Sequence, residues 1–246
     1  PVLIGEWLFA PWLHADGPGP ARIARAEPYL DFLAERGRLP ECVRETLLDL
    51  RDRAVPAYLD RMVESVDWRR FDAIGFSCVF SQAVPSLALA RRIKAAHPDR
   101  TIVLGGAQCD DPMGQEYVRA FDQVDFVVIG SAEHSLPDLL EDLGRGGDGS
   151  TVDGVVVRRG GEAVWRPERR SVELDGLPVP SYDTYFARVA GLPLRPWVAI
   201  EASRGCWWGQ KSHCTFCGIS PETMPFFSKS PETVLAEMRE ISSRHR

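Results

Sequence analysis

The sequence predicts an α/β protein with a parallel sheet covered on both faces, and three observations lead to that reading. Three continuous apolar runs, DAIGFSCVF, TIVLGG and VDFVVIGS, read as strands buried on both sides. Each is followed by a segment whose apolar residues recur at helical spacing. Hydrophobic residues make up 44% and charged residues 26% of the 246 positions, the balance of a globular chain with a sizeable core.

Taken in order, the opening PVLIGEWLFAPWL is apolar but carries Glu6, lacks a basic flank and is too short to span a bilayer, so it is expected to pack in a core or between domains. Residues 20–70 alternate apolar and charged positions. Leu30 and Leu33, then Val43, Leu47, Leu48 and Leu50 after the break at Gly37 to Pro40, predict a helical segment over 1–70. Strand–loop–helix units fill 71–145: Pro85 opens SLALARRIKAAH, with Leu89, Ile93 and Ala96 on one face, and Asp110 or Asp111 is the expected N-cap of DPMGQEYVRAF. HSLPDLLEDL follows the third strand. Residues 146–195 hold a glycine-rich break, a hairpin VDGVVVRRGGEAVWR turning at Gly160-Gly161, and the proline-rich linker LDGLPVPSYDTYF, with the hairpin expected to bridge two domains. The last unit, 196–246, opens with WVAIEASRG as a buried strand breaking at Gly205. It closes with SPETVLAEMREIS, with Ser230 as N-cap, Pro231 in the first turn, and Val234, Leu235, Met238 and Ile241 on one face. No internal repeat is present.

A formal charge of -6 gives no broad attraction to nucleic acid or anionic membrane. With no apolar run of spanning length, the expectation is a cytoplasmic protein with reduced cysteines and neither nucleic acid nor membrane as partner.

The six cysteines are unevenly spaced: Cys42, Cys78 and Cys109 stand singly, whereas Cys206, Cys214 and Cys217 fall within twelve residues. The spacing of Cys214 and Cys217 lets two thiolates converge on one metal centre. Three cysteines leave one iron of a cubane cluster open to an external ligand. Spacing alone also admits zinc, because a lone CxxC serves both metals and His213 would complete a Cys3His set. Against zinc stand the lack of a second CxxC and the position of the loop directly after a strand carrying Ser203-Arg204-Gly205.

The stretch EASRGCWWGQKSHCTFCGI resembles the radical S-adenosylmethionine (SAM) motif, in a C-x7-C-x2-C form instead of the common C-x3-C-x2-C. With Trp207-Trp208-Gly209 in the widened loop, the chain resembles the radical SAM proteins that mature ribosomally made peptides, RiPP maturation radical SAM protein 1 in particular. The resemblance extends over GEWLFA, IGFSCVFSQ, ALARRIK, VLGGAQCD, VDFVVIGSAE and SKSPETVLAE, nearly the whole chain. It implies a Rossmann-like, cobalamin-binding-like domain over 71–145, followed by the first βα unit of a radical SAM partial TIM barrel. It further implies a [4Fe-4S] cluster on Cys206, Cys214 and Cys217, SAM on the open iron with Phe216 and Gly218 beside it, and cobalamin-dependent C-methylation of a precursor peptide. An electron donor such as a flavodoxin or ferredoxin is the implied redox partner.

In an open parallel sheet, ligands bind beyond the carboxyl ends of the strands. The relevant residues are Ser77, Ser81 and Gln82, then Gly105, Gly106 and Gln108, then Gly130, Ser131 and Glu133, small or polar as a corrin face requires. The glycines also suit tight strand–helix turns with no ligand. No Asp-x-His-x-x-Gly motif occurs, so a corrin here would lack the lower axial histidine of mutase-type proteins, which is also what a domain without cobalamin would show. His134 is expected at a helix N-terminus, His97 at a solvated helix end, and Cys42, Cys78 and Cys109 in the core. Trp207 and Trp208 either shield the cluster or line a peptide groove.

A radical SAM barrel needs several more strand–helix units than one, and the family has a further strand before GEWLFA, so a fragment that does not turn over alone is expected. A tRNA methylthiotransferase shares the cluster logic, but the extra cysteines and basic RNA-binding module it would carry are not seen. A non-enzymatic zinc- or cobalamin-binding module is the other alternative.

Overall fold

A computed structural model describes residues 3–13, 27–37, 40–219 and 224–245, in two compact units, Pro1–Arg169 and Arg170–Arg246. The first unit is built on a five-stranded sheet: β1 (Ala73–Ser77), β2 (Thr101–Gly105), β3 (Phe126–Val128), β4 (Val155–Arg159) and β5 (Glu162–Trp165), in that spatial order. β1, β2 and β3 run parallel, with Ala73 opposite Thr101 and Val103 opposite Phe126. The hairpin expected to bridge two domains lies in the sheet itself, β4 pairing antiparallel with β3. Val155, Val156 and Val157 are all buried, so β4 contributes to both faces and has to sit inside a covered sheet. Gly160 and Gly161 turn the hairpin with φ of 57° and 87°, as a primed two-residue turn requires.

Period-two alternation sorts the strand residues onto two faces. Ile74, Ile102, Leu104, Val127 and Val156 pack beneath α5 (Ala83–Ala96) and α6 (Met113–Ala120), against Leu87, Ala90, Ile93 and Val118. Val103, Phe126, Val128, Val155 and Val157 pack beneath α7 (Ala132–Gly144), against Leu139 and Leu136. At about 1.5–3 kcal/mol for each fully buried aliphatic side chain, these two layers are the main source of the unit's stability.

The N-terminal segment is helical as expected: α1 (Ile4–Phe9), α2 (Glu27–Glu35), α3 (Glu41–Asp49) and α4 (Val55–Ser65), with a π-helical turn at Leu50–Ala54 joining the last two. Leu8, Phe9 and Trp12 pack, partly buried, on Val55, Leu59 and Ala88, so the apolar opening covers a core cluster without entering it. Leu50 departs from expectation, being exposed while Arg51 is buried. The π turn adds a residue to the helical repeat and rotates Arg51 inward. There the Arg51 guanidinium lies 4.9 Å from the Trp7 ring centroid and bonds both Asp52 carboxylate oxygens at 2.6 and 3.0 Å, which satisfies the buried charge.

Two helix starts also differ. α5 begins at Ala83, two residues ahead of Pro85, because Glu6 Oε2 on α1 accepts the Val84 N–H at 3.1 Å. α6 has no aspartate cap. Asp110 is buried and its Oδ1 accepts from the Gly130 N–H at 3.2 Å, while Asp111 Oδ1 accepts from Gln115 Nε2 at 2.6 Å.

The second unit contains α8 (Asp183–Val189), a two-residue ladder of β6 (Ser203–Arg204) with β7 (Phe227–Ser228), and α9 (Pro231–Arg244). The linker LDGLPVPSYDTYF thus includes a 3-10 turn at Leu174–Gly176 and the start of α8. The buried strand expected in WVAIEASRG is not formed: residues 197–202 have no strand partner and Trp197 is 83% exposed. A strand buried on both faces needs neighbours and a layer above and below it. Among the described residues of 170–245, β7 is the one strand present to pair with it. For the same reason Leu235 and Met238 on α9 are exposed, and the buried positions are Ile241 and Glu237, whose carboxylate pairs with the buried Lys229 ammonium.

Ser230 does cap α9, its hydroxyl accepting from the Thr233 N–H at 3.2 Å while its own N–H bonds Asp175 Oδ1 at 2.7 Å. Ser230→Ala is expected to cost about 1 kcal/mol, the usual value of a hydroxyl cap. A lower unfolding midpoint for unit two, with Ser230→Thr near wild type, would check it. Among the described residues, no helix is long and apolar enough to cross a membrane.

Candidate functional site

At the carboxyl end of the parallel strands, three loops interlock. Cys78, following β1, donates its N–H to Gly105 O at 2.6 Å, and its carbonyl accepts from the Gln108 N–H at 3.0 Å. Asp110 then joins the second loop to the third through Gly130. Gly106 sits at φ 100°, ψ 176°, a conformation essentially reserved for glycine, and a Cβ there would lie 2.8 Å from Cys78 O. Ser81 is the one non-glycine residue at positive φ among the described residues, 62°, in a loop closed by the Val79 N–H on Gln82 Oε1 at 3.0 Å.

The structure therefore gathers Ser77, Ser81, Gln82, Gly105, Gly106, Gln108, Gly130, Ser131 and Glu133 on one edge of the sheet, as the strand ends dictate. Ser77, Gln82 and Gly106 are exposed there, alongside Val79 and Phe80, which are 44% and 64% exposed. Gln108 Oε1 is buried with no protein hydrogen-bond partner. An apolar pair, a rim of small residues and an unsatisfied amide carbonyl fit a flat macrocycle edged with amide groups. His134 lies in the first turn of α7 and Cys109 is fully buried, while the side chain of Cys42 lies outside the described residues.

Sequence reasoning missed Glu6 and Asp110, which order these loops from a distance. Neither carries a local motif; each is recognisable only through the backbone N–H it accepts. It also missed Tyr117 on α6, whose phenol is pushed up to about 12 mainly by burial, with the Cys109 and Cys78 thiols and Glu6 adding to the effect. The stability this neutral phenol contributes is present below its unfolded value of 10.0 and is lost as pH rises through about 12. Alkaline unfolding of unit one is expected to be less steep in Tyr117→Phe than in wild type over that interval, as followed by circular dichroism.

In the second unit, Cys206 is pinned by its N–H to Met224 O at 3.0 Å, and its Sγ accepts from the Gly209 N–H at 3.3 Å. Cys214 and Cys217 share one turn, the Cys217 N–H on Cys214 O at 3.0 Å. All three thiols are free and half-buried. The structure does not draw the three together: among the described residues no group of three Cys, His, Asp or Glu is close enough to hold a metal ion. The donor set nevertheless fits a soft metal centre, with three thiols on one loop and an N–H already directed at one sulfur, the arrangement that stabilises thiolate charge. His213 is exposed. Trp207 and Trp208 meet edge to face at 5.9 Å, Lys211 Nζ lies 5.0 Å from the Trp207 ring, and Phe216 is 91% exposed.

Parallel strands β1 to β3, with helices on both faces and interlocked loops at their carboxyl ends, define a Rossmann-like domain, and comparison with known proteins narrows the class: residues 41–140 match the family described as B12 binding domain. The chain is 32% identical over 159 residues to 2-(S-pantetheinyl)-carbapenam-3-carboxylate methyltransferase of Streptantibioticus cattleyicolor, covering 62% of this chain and 23% of that protein. It is 29% identical over 180 residues to the cobalamin-dependent radical SAM methyltransferase TokK of Streptomyces tokunonensis, covering 71% of this chain and 26% of that one. It is 29% identical over 210 residues to hopanoid C-3 methylase of Methylococcus capsulatus, covering 82% and 38%. Among solved structures, the cobalamin-dependent SAM radical enzyme OxsB with aqua-cobalamin bound superposes with a TM-score of 0.56 at 20% identity, over 78% of this chain and 26% of that one, a likeness of fold. The chain is thus homologous to cobalamin-dependent radical SAM methyltransferases, and it spans 23 to 38% of the length of these curated relatives.

Proposed function

We propose that this chain is part of a cobalamin-dependent radical SAM enzyme that methylates carbon in a ribosomally made precursor peptide. The observation that carries the reading is the presence, in one chain, of interlocked loops at the carboxyl edge of a parallel sheet and of three free thiols on a twelve-residue loop. A bound [4Fe-4S] cluster would supply one-electron cleavage of SAM, and a bound corrin a transferable methyl group. Cys206, Cys214 and Cys217 would hold the cluster, with the electron drawn from a flavodoxin or ferredoxin. Phe216 and Gly218, both exposed beside Cys217, would present their backbone to the SAM adenine. Ser77, Ser81, Gln82, Gly105, Ser131 and Glu133 would line the corrin rim, with Gln108 Oε1 accepting a hydrogen bond from a corrin amide N–H. Gly106 and Gly130 keep the loops low enough for a flat ligand to approach. The exposed aromatic rings of Trp207 and Trp208 are suited to excluding water from the reacting centre. Peptide as methyl acceptor rests on the Trp-Trp-Gly form of the widened cysteine loop, and the relatives named above bear on methylation alone.

Anaerobic reconstitution with iron, sulfide and hydroxocobalamin tests the reading. Absorbance and EPR are expected to show a cubane cluster that Cys206, Cys214 and Cys217 to alanine removes, with corrin retained in both proteins. Stoichiometric zinc without an iron chromophore would refute it and leave a structural metal site. With a full-length protein that contains this chain, methyl transfer to a carbapenam-like small molecule and none to a peptide would refute the substrate assignment only.

A further inference from the structure

We infer that Cys78 and Cys109 form a buried redox-active dithiol that closes to a disulfide and ties the first two loops of the carboxyl edge together. Neither side chain has any solvent exposure, and both belong to one core cluster with Leu104 and Val127. Their backbones are held in register by two bonds from the Cys78 peptide, to Gly105 O at 2.6 Å and from the Gln108 N–H at 3.0 Å, and by the Cys109 N–H on Gly106 O at 2.7 Å. The Cys78 carbonyl, bonded to the Gln108 N–H, sets the two residues at adjoining positions of that cluster, and both thiols are free. The pair is chemically unequal. The Cys109 S–H, with help from Ser86, draws the Cys78 thiol down, whereas the same contact and burial push Cys109 up. Cys78 is thereby the attacking sulfur and Cys109 the resolving one.

With a peroxide as two-electron oxidant, the Cys78 thiolate attacks one oxygen, the O–O bond breaks, and the departing hydroxide takes up the proton that Cys78 released, leaving a sulfenic acid and one water. Cys109 then attacks the Cys78 sulfur, the S–S bond forms as the S–O bond breaks, and the hydroxyl leaves as a second water with the Cys109 proton. Two thiols and one peroxide give one disulfide and two waters. Access comes through the 78–82 loop, whose Val79 and Phe80 are already exposed and whose closure rests on the Val79 N–H to Gln82 Oε1 bond and the Gln82 N–H to Val79 O bond, each 3.0 Å. The inference stands whether or not the loops hold a corrin.

The test uses the chain with Cys206, Cys214 and Cys217 replaced by alanine, so that those thiols do not compete. After hydrogen peroxide, alkylation in denaturant and peptide mapping without reductant, the expected product is a Cys78 peptide joined to a Cys109 peptide, lighter by two hydrogens and reopened by dithiothreitol. Cys42 should remain alkylated. Amide exchange over 78–82 and 105–112 should slow in the oxidised protein. In Cys109→Ser, the Cys78 sulfenic acid should instead be trapped by dimedone. Full alkylation of both cysteines after oxidation, or a bond from either to Cys42, would overturn the inference.

Discussion

Gly106→Ala is expected to destabilise the first unit by about 4 kcal/mol, the sum of a backbone conformation that side-chain-bearing residues avoid and a clash with fixed backbone. The new Cβ would stand 2.8 Å from Cys78 O and 3.1 Å from Cys78 N, atoms tied into the sheet edge by their own hydrogen bonds and unable to move alone. Against a typical total of about 5–15 kcal/mol, such a loss leaves a marginal fold. Urea unfolding should show a much lower midpoint with an unchanged slope, since the surface exposed on unfolding is the same. Gly105→Ala is the control. Its Cβ would meet only Val128, at 3.8 Å or more and with ordinary backbone angles, and stability should stay near wild type. If the two variants unfolded alike, the close packing of the first two loops would not be what holds the edge. Hydroxocobalamin binding, if those loops hold the corrin, should fall with Gly106→Ala at temperatures where the variant is still folded.

The second large effect belongs to Gly205, which positions Cys206. It has φ 79°, and a Cβ would fall 2.0 Å from Pro225 O and 2.9 Å from Met224 O, the carbonyl that holds the Cys206 N–H. Gly205→Ala must therefore separate 205–206 from 224–225 and release the first cysteine from its anchor. Retained iron after reconstitution is expected to drop about tenfold or more, the scale seen when the support around metal ligands is removed. Gly176→Ala, with nothing within 4 Å of its Cβ, should keep its iron. Equal iron in the two variants would show that the Met224 anchor has no part in holding the metal.

Much of this was legible from residue order. The apolar runs around Ile74, Leu104 and Val127 announced a sheet covered on both faces, because their side chains alternate between two buried layers. The candidate corrin loops followed from where those strands end, and Ser230 was recognisable as a cap from its place ahead of Pro231 and an apolar stripe. Spacing alone grouped Cys206, Cys214 and Cys217 on one loop.

What residue order could not supply are the relations between distant segments. Asp110 reads as a helix cap and instead binds the Gly130 N–H, and Glu6 caps a helix 78 residues away. Arg51 is buried because one π turn rotates it under Trp7, and WVAIEASRG lacks the strand neighbours its apolar character calls for. Cys78 and Cys109 look like isolated core residues until the parallel pairing of β1 with β2 brings the loops that follow them into one buried cluster. The sequence by itself determined the three parallel strands, the helices around them and the grouping of three cysteines on one loop, because periodicity and residue type act locally. Only the tertiary structure decided which buried polar and nucleophilic groups meet, because those partners are chosen by strand order and helix packing across tens of residues.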